Sequence, residues 1–413
     1  MSTEALASPR ATAWPLMLSA AAILLITTGA RQSLGLYIAP VSRSTGLDIA
    51  DISLALAVGQ FVWGASQPLF GAIADRHGPA RVIVAGAVIL ALGLAATPFA
   101  HTTVGLVWTL GVLSAAGAGA GSFSILLGAA AQRLAPAQRA FAAGFINAGA
   151  SFGQFVFAPL NQLLIVLYGW ATAISAMAAI MLSTVPLAWW LRGRNASPTS
   201  PPSTAAASTA PPDLGRQVSL AATNASYWCL HLGFFTCGFH VAFLVTHLPG
   251  EVNLCGLGSA IAATSLAIIG LANIAGSLGA GFLGNRFRLK WLLFWVYFTR
   301  AVAIAVYLAA PRSALTFYLF AGVLGLTWLS TVPPTAGLVG KLFGTRYFAT
   351  LFGLTLLTHQ IGGFFGAWLG GAAISRFGNY SWMWYADILL ALGAALVNLP
   401  IREERMPKTV VLR

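Results

Sequence analysis

Long apolar runs separated by short polar, glycine or proline breaks occupy most of the chain, and about 20 apolar residues is the length an α-helix needs to cross a bilayer. The breaks predict helices over roughly 12–40, 50–74, 80–100, 103–131, 139–166 and 170–191. A second set follows at 221–248, 257–284, 290–310, 313–341, 347–374 and 380–400. Between the sets, the stretch from Arg192 to Arg216 contains Ser-Pro-Thr-Ser-Pro-Pro-Ser-Thr-Ala-Ala-Ala-Ser-Thr-Ala-Pro-Pro. It lacks the apolar side chains to pack or insert, so it reads as a linker. The pattern predicts an all-α membrane protein of twelve transmembrane helices in two six-helix halves: residues 1–191, a cytoplasmic linker over 192–220, and residues 221–413 with a cytoplasmic tail.

Composition supports the membrane reading. Of 413 residues, 58% are hydrophobic and 8% charged, whereas soluble domains carry about 25% charged residues. A soluble enzyme is excluded. The balance of 22 Lys and Arg against 9 Asp and Glu gives +13, which in a soluble chain suggests nucleic-acid binding. Placed on the predicted topology, seventeen of the 22 basic residues fall on the side of the termini and linker, three (Arg43, Arg312, Arg376) on the other side, and Arg31 and Arg300 within spans. The positive-inside rule then puts both termini in the cytoplasm and leaves nucleic acid without support. Cys229, Cys237 and Cys255 show no metal-ligand spacing, and neither a metal nor a cofactor is expected. Glu4 and Arg10 precede the first apolar run and no cleavage-like site follows, so the first helix is expected to be retained.

The two halves echo one another. Gly29-Ala30-Arg31, with Pro40 nine residues after the Arg, matches Gly238-Phe239-His240, with Pro249 nine after the His, at an offset of 209. Arg139-Ala-Phe-Ala-Ala-Gly-Phe145 matches Arg346-Tyr-Phe-Ala-Thr-Leu-Phe352 at an offset of 207. Parallel repeats of six spans place a solute site between the halves near the bilayer midplane.

Between the second and third spans stands Gly71-Ala-Ile-Ala-Asp75-Arg76-His77-Gly78-Pro-Ala-Arg81. This resembles the G-x-x-x-D-R-x-G-x-x-R loop of the major facilitator superfamily, and with twelve spans and a central linker the resemblance covers essentially the whole chain. Gly71, Asp75, Arg76, Gly78 and Arg81 are the implied gating residues, with Gly71 allowing close helix approach and Asp75 meeting helix ends and Arg side chains. The counterpart around Gly281, Asn285 and Arg286 has Asn in place of Asp. Gly29-Ala-Arg31-Gln32-Ser33-Leu34-Gly35-Leu36-Tyr37, with the helix starts at Arg139 and Arg346, is similar to bacterial relatives of the monocarboxylate and oxalate/formate transporters. That resemblance implies a multi-pass protein of the bacterial inner membrane, acting as a monomer. Monocarboxylate transporters carry an acid and a base four apart in span eight; the corresponding positions here are near Asn273 and Ser277, a departure from a proton-coupled lactate mechanism.

Charge inside a membrane is costly and marks candidate sites. Arg31 has a fork suited to a carboxylate or phosphate and is the leading anion-binding candidate. The other substrate-binding candidates are His240, His359, Asn147, Gln60 and Gln154. His240 and His359 are also candidate proton carriers, since imidazole titrates near neutrality; His359 matches the region where an oxalate/formate transporter uses a basic side chain. Gln60 and Trp63 share a helix face, as do Asn147, Ser151 and Gln154, and such stripes face a cavity or bond another helix. Arg300 and Asp387, the one acid expected in the membrane interior, are expected to form a structural ion pair. Trp residues near span ends, including Trp189 and Trp384, read as interfacial anchors.

No phosphate-binding loop or nucleophile elbow occurs. The sequence therefore points to a secondary transporter of a small organic anion, with a proton or counter-solute as the other partner. The alternative is proton-driven efflux of a drug-like compound or secreted metabolite such as a siderophore.

Overall fold

The computed structural model describes residues 13–131, 133–134, 136–192, 214–344 and 347–404. Arg346, the central part of the linker and the side chains of Asp75 and Arg139 lie outside the described residues. All the described regular structure is helical, as lipid requires of a chain that must satisfy its backbone internally.

The first span is α1 (Ala13–Arg31), a 3-10 turn at Leu34–Tyr37 and α2 (Ile38–Thr45). The second and third are α3 (Ile49–His77) and α4 (Pro79–Ala96), the fourth a series of short helices, α5 (Thr103–Leu106), α6 (Ala115–Ala120) and α7 (Phe123–Ala131), with a π stretch at Val107–Ser114. Next comes α8 (Pro136–Leu182), then α9 (Thr184–Ala188). A bend at Gly169, with φ 78°, divides α8 into the fifth and sixth spans; the left-handed backbone there suits glycine.

In the C-terminal half, α10 (Leu214–Ala222) is helix within the stretch expected as linker, and α11 (Ala225–Leu254), α12 (Ser259–Leu283) and α13 (Leu289–Ala309) follow. The tenth span is α14 (Ala314–Thr327) and α15 (Val332–Phe343); α16 (Phe348–Phe377) and α17 (Ser381–Asn398) end the fold. Ten stretches are apolar and long enough to span a bilayer. The one from Gly144 to Leu191 holds two spans across the Gly169 bend, and the thirty-residue α16 supplies the last, which accounts for all twelve.

Besides the fourth span, interrupted at Gly121 and Ser122, the first and tenth spans, expected as single helices, are broken. After Arg31 the chain turns at Gln32 and Ser33, and Asn161 of α8 pins the turn. Its Nδ2 donates to Ser33 Oγ at 2.6 Å, and its Oδ1 accepts from Tyr37 at 2.5 Å. In the tenth span helix stops at Thr327 and resumes at Val332. Pro333 and Pro334 have no N–H to offer the carbonyls of Leu329 and Ser330, so helix cannot run through, and the Thr327 and Trp328 carbonyls at the end of α14 are left free of helix bonds.

Glycines set the main crossing in each half. Gly149 and Gly153 of α8 press on the carbonyls of Ala21 and Leu25 in α1, and Gly29 meets Gly153. In the other half Gly362 and Gly366 of α16 press on the carbonyls of Phe235 and Phe239 in α11, while Gly238 meets the His359 backbone. A side chain at any of these positions would drive the helices apart, the usual role of small residues in membrane packing. The echo of Gly29 in Gly238 thus marks a shared packing role. Trp189 is exposed as expected of an anchor, but Trp384 is buried in the C-terminal core against Phe243 and Tyr307.

The halves meet along α3 with α16 and α8 with α12. At the end away from the linker they are locked. Gly35 lies against the carbonyls of Val245 and Thr246, Gly371 against Ser53, and Ser375 donates to Asp48 at 2.6 Å. At the linker end, Gly71, Gly144, Gly279, Gly281 and Gly353 have open space where a side chain would stand. The described contacts that join the halves thus concentrate at the far end.

Candidate solute site

Arg31 is the last residue of α1, where a cation faces the helix carbonyls. It is half-buried. Its Nη1 and Nη2 donate to the same oxygen, Gln60 Oε1, at 2.9 and 2.8 Å, and its guanidinium lies 4.2 Å from the centre of the Trp63 ring. Gln60 and Trp63 come from one face of α3, which orders the guanidinium between an amide and a π-face. Among the described residues no carboxylate lies within 4.0 Å of it: the ion pairs there are His240–Asp387 and Lys341–Glu403. A Cβ on Gly363 of α16 would stand 3.7 Å from Gln60, and Gly64 meets the Gln360 side chain. The Arg31 group therefore sits where the two halves touch. A cavity of about 40 Å³ reaches it, with Tyr37, Asn161, Val245 and Thr246 also in its wall. On the far side a wider cavity of about 430 Å³, with Arg43 and Trp170 at its wall, shares Gly35 and Thr246 with the first. Those two residues are the partition between the far-end vestibule and Arg31.

The structure separates the other candidates. His240 has no exposed surface and faces the interior of its own half, with Nδ1 2.5 Å from Asp387 Oδ2. The expected pairing of Arg300 with Asp387 is therefore corrected: Asp387 is bonded to His240, and Arg300 Nη2 donates to the carbonyls of Thr327 and Trp328 at 2.7 and 3.1 Å. The physical reason is the broken tenth span, whose freed carbonyls offer a cation the same stabilisation as a helix C-terminus. His359 is half-buried on α16, with its ring 5.2 Å from that of Phe234. Gln154 is fully buried against α12, its amide atoms without partners among the described residues. In the same stripe Ser151 accepts from Asn273 Nδ2 at 2.9 Å, so part of this face bonds the opposite half; Asn147, farther along α8, is half-buried.

A profile of the Major Facilitator Superfamily matches residues 20–367. The chain belongs to that superfamily. It is a transporter and not an enzyme, and a multi-pass integral membrane protein. It is 25% identical to monocarboxylate transporter 13 of Rattus norvegicus over 394 residues, covering 94% of this chain and 89% of the relative. It is 24% identical to the oxalate:formate antiporter of Oxalobacter formigenes over 382 residues, covering 88% and 86%. A solved structure of a bacterial homologue of the human lysosomal transporter Spinster, inward-facing and unoccupied, matches with a TM-score of 0.70 at 15% identity, covering 94% of this chain and 95% of that one.

In this superfamily member α3 passes into α4 through Gly78 alone. Gly78 ends α3 with φ 89°, a backbone that favours glycine. Gly71, expected to allow close helix approach, has open space where a side chain would stand, and Arg76 and Arg81 are exposed. Sequence reasoning missed Asn161, where two adjacent amides, Asn161 and Gln162, in an apolar run were the available signal. It also missed Glu251: α11 runs on to Leu254 and buries this acid, which accepts from Tyr307 at 2.7 Å, so Asp387 is not alone.

Proposed function

We propose that this transporter carries a small organic anion by alternating access, with the solute's carboxylate docked on Arg31. The observation that supports it is a half-buried guanidinium at the contact between the halves, held by Gln60 and Trp63 and lacking a carboxylate. Gln60 takes two of the five N–H donors of the fork, leaving three for an anion. Trp63 adds an apolar wall for the rest of the solute. Rocking of the halves closes the linker end and parts Gly35 from Val245 and Thr246, which opens Arg31 to the far-end vestibule. An ion or solute gradient supplies the energy. The excess of basic residues on the linker side supports a bacterial inner membrane with both termini in the cytoplasm.

The test is Arg31→Gln and Arg31→Lys in purified, folded protein, with lactate and oxalate as probes. A charge-assisted hydrogen bond contributes about 1.5–3 kcal/mol, so Arg31→Gln is expected to weaken binding roughly ten- to hundredfold. Arg31→Lys keeps the charge and loses the fork, so it should be intermediate. Affinity unchanged in both variants removes Arg31 from the site.

A further inference from the structure

The C-terminal half holds a second polar group, apart from Arg31. At its centre His240 of α11 and Asp387 of α17 share a 2.5 Å hydrogen bond, and neither has exposed surface. Arg300 of α13 is equally buried, within electrostatic reach of His240 and Cys237, and bound to the broken end of α14. The Trp328 ring packs 5.9 Å from that of His240, and Cys237 Sγ lies 3.2 Å from Thr331 Oγ1. Tyr297 from α13 and His359 from α16 face Cys237.

Five buried polar atoms in this group have no partner among the described residues: His240 Nε2, Asp387 Oδ1, Arg300 Nε and Nη1, and Trp328 Nε1. Buried polar atoms in native proteins nearly all find partners, so such a concentration marks a group kept for more than packing. With Asp387 ionised and His240 neutral, the carboxylate and the Arg300 guanidinium cancel. His240 then donates Nδ1–H to Asp387, and Nε2 is left as a free basic site.

We propose that the His240–Asp387 pair is a proton-binding site, loaded at His240 Nε2 and distinct from the anion site at Arg31. The proton adds to the Nε2 lone pair with no other bond made or broken, and Asp387 stabilises the resulting imidazolium. His359 of α16, beside Cys237, is half-buried, whereas His240, Asp387 and Arg300 have no exposed surface. Loading sets two cations, His240 and Arg300, around one carboxylate, and Arg300 holds the carbonyls of Thr327 and Trp328. The next backbone N–H, that of Leu329, donates to Asn273 Oδ1 at 3.0 Å, and Asn273 in turn donates to Ser151 of the opposite half. The break in the tenth span thus ties the proton site to the contact between the halves.

Coupling to solute rests on the anion reading, but proton binding is tested without any solute. In infrared difference spectra of the full chain in lipid, taken between acid and neutral pH, the imidazole and carboxylate bands of this pair should appear in the native protein. They should vanish in His240→Gln and shift in Asp387→Glu, which keeps the carboxylate if Asp387→Asn fails to fold. A native difference spectrum left unaltered by His240→Gln overturns the site. In liposomes with lactate and oxalate as probes, a gradient of about one pH unit should drive roughly tenfold accumulation by the native protein. His240→Gln should abolish that accumulation while keeping probe exchange without a gradient; accumulation as in the native protein overturns the proposal. If the native protein carries neither probe, the anion reading fails for those probes and the infrared result alone decides.

Discussion

The two intramembrane arginines both sit at an interrupted helix, yet their hydrogen bonds divide their roles. Arg300 is drawn to backbone carbonyls and has no exposed surface, whereas Arg31 is bonded to an amide and lies at the contact of the halves. Arg31 depends on the turn that ends α1, and that turn depends on Asn161. Asn161→Ala removes the bonds to Ser33 and Tyr37; Ser33 Oγ keeps the Ala30 carbonyl, but the buried Tyr37 hydroxyl is left without its partner. A loss of about 1–3 kcal/mol of stability is expected, with weaker probe binding at Arg31. Thermal unfolding in detergent measures the first effect, and an unchanged midpoint would show that Asn161 does not hold the turn. Arg31 and Gln60 were legible in the sequence because a charge or amide in an apolar run stands out. The pairing of His240 with Asp387 was not, since 147 residues separate the partners and only packing of α11 on α17 brings them together.

Helices that break inside the membrane are the elements on which both groups are built. The apolar run from residue 12 to 40 concealed the turn at Gln32 and Ser33, because hydropathy is insensitive to backbone direction. The pair Pro333-Pro334 was a signal for the second break that the expected single helix over 313–341 passed over, and its basis is covalent: proline removes N–H groups and crowds the preceding carbonyls. The first break also forms the far-end closure, in which Gly35 lies against α11. Gly35→Ala places a methyl group on the Val245 and Thr246 carbonyls and should bias the transporter toward opening at that end. With Thr246→Cys as reporter, in a Cys255→Ser background, labelling by an impermeant thiol reagent from the far side should rise several-fold, as expected when overpacking costs about 1–3 kcal/mol in the closed state. Labelling no faster than with Gly35 intact would remove this contact from the gate.

For the whole molecule, closure at the far end is one of the states that an alternating-access machine must visit. The proposed orientation, with the termini in the cytoplasm, rests on basic residues clustered on the linker side. A fluorescent protein that matures only in the cytoplasm, fused after Arg413, should be fluorescent in intact cells; a dark but inserted fusion overturns that orientation. The sequence by itself determined the membrane class, the number of spans, the echo between the halves and the superfamily, because each is written in local apolarity, covalent turn chemistry or a short spacing. Only the tertiary structure decided that Asp387 belongs to His240 and not to Arg300, that Glu251 is buried, and that Gln60 and Trp63 hold Arg31. Those outcomes depend on which helix faces which, and that is set by glycine contacts and freed carbonyls competing for the same few polar side chains.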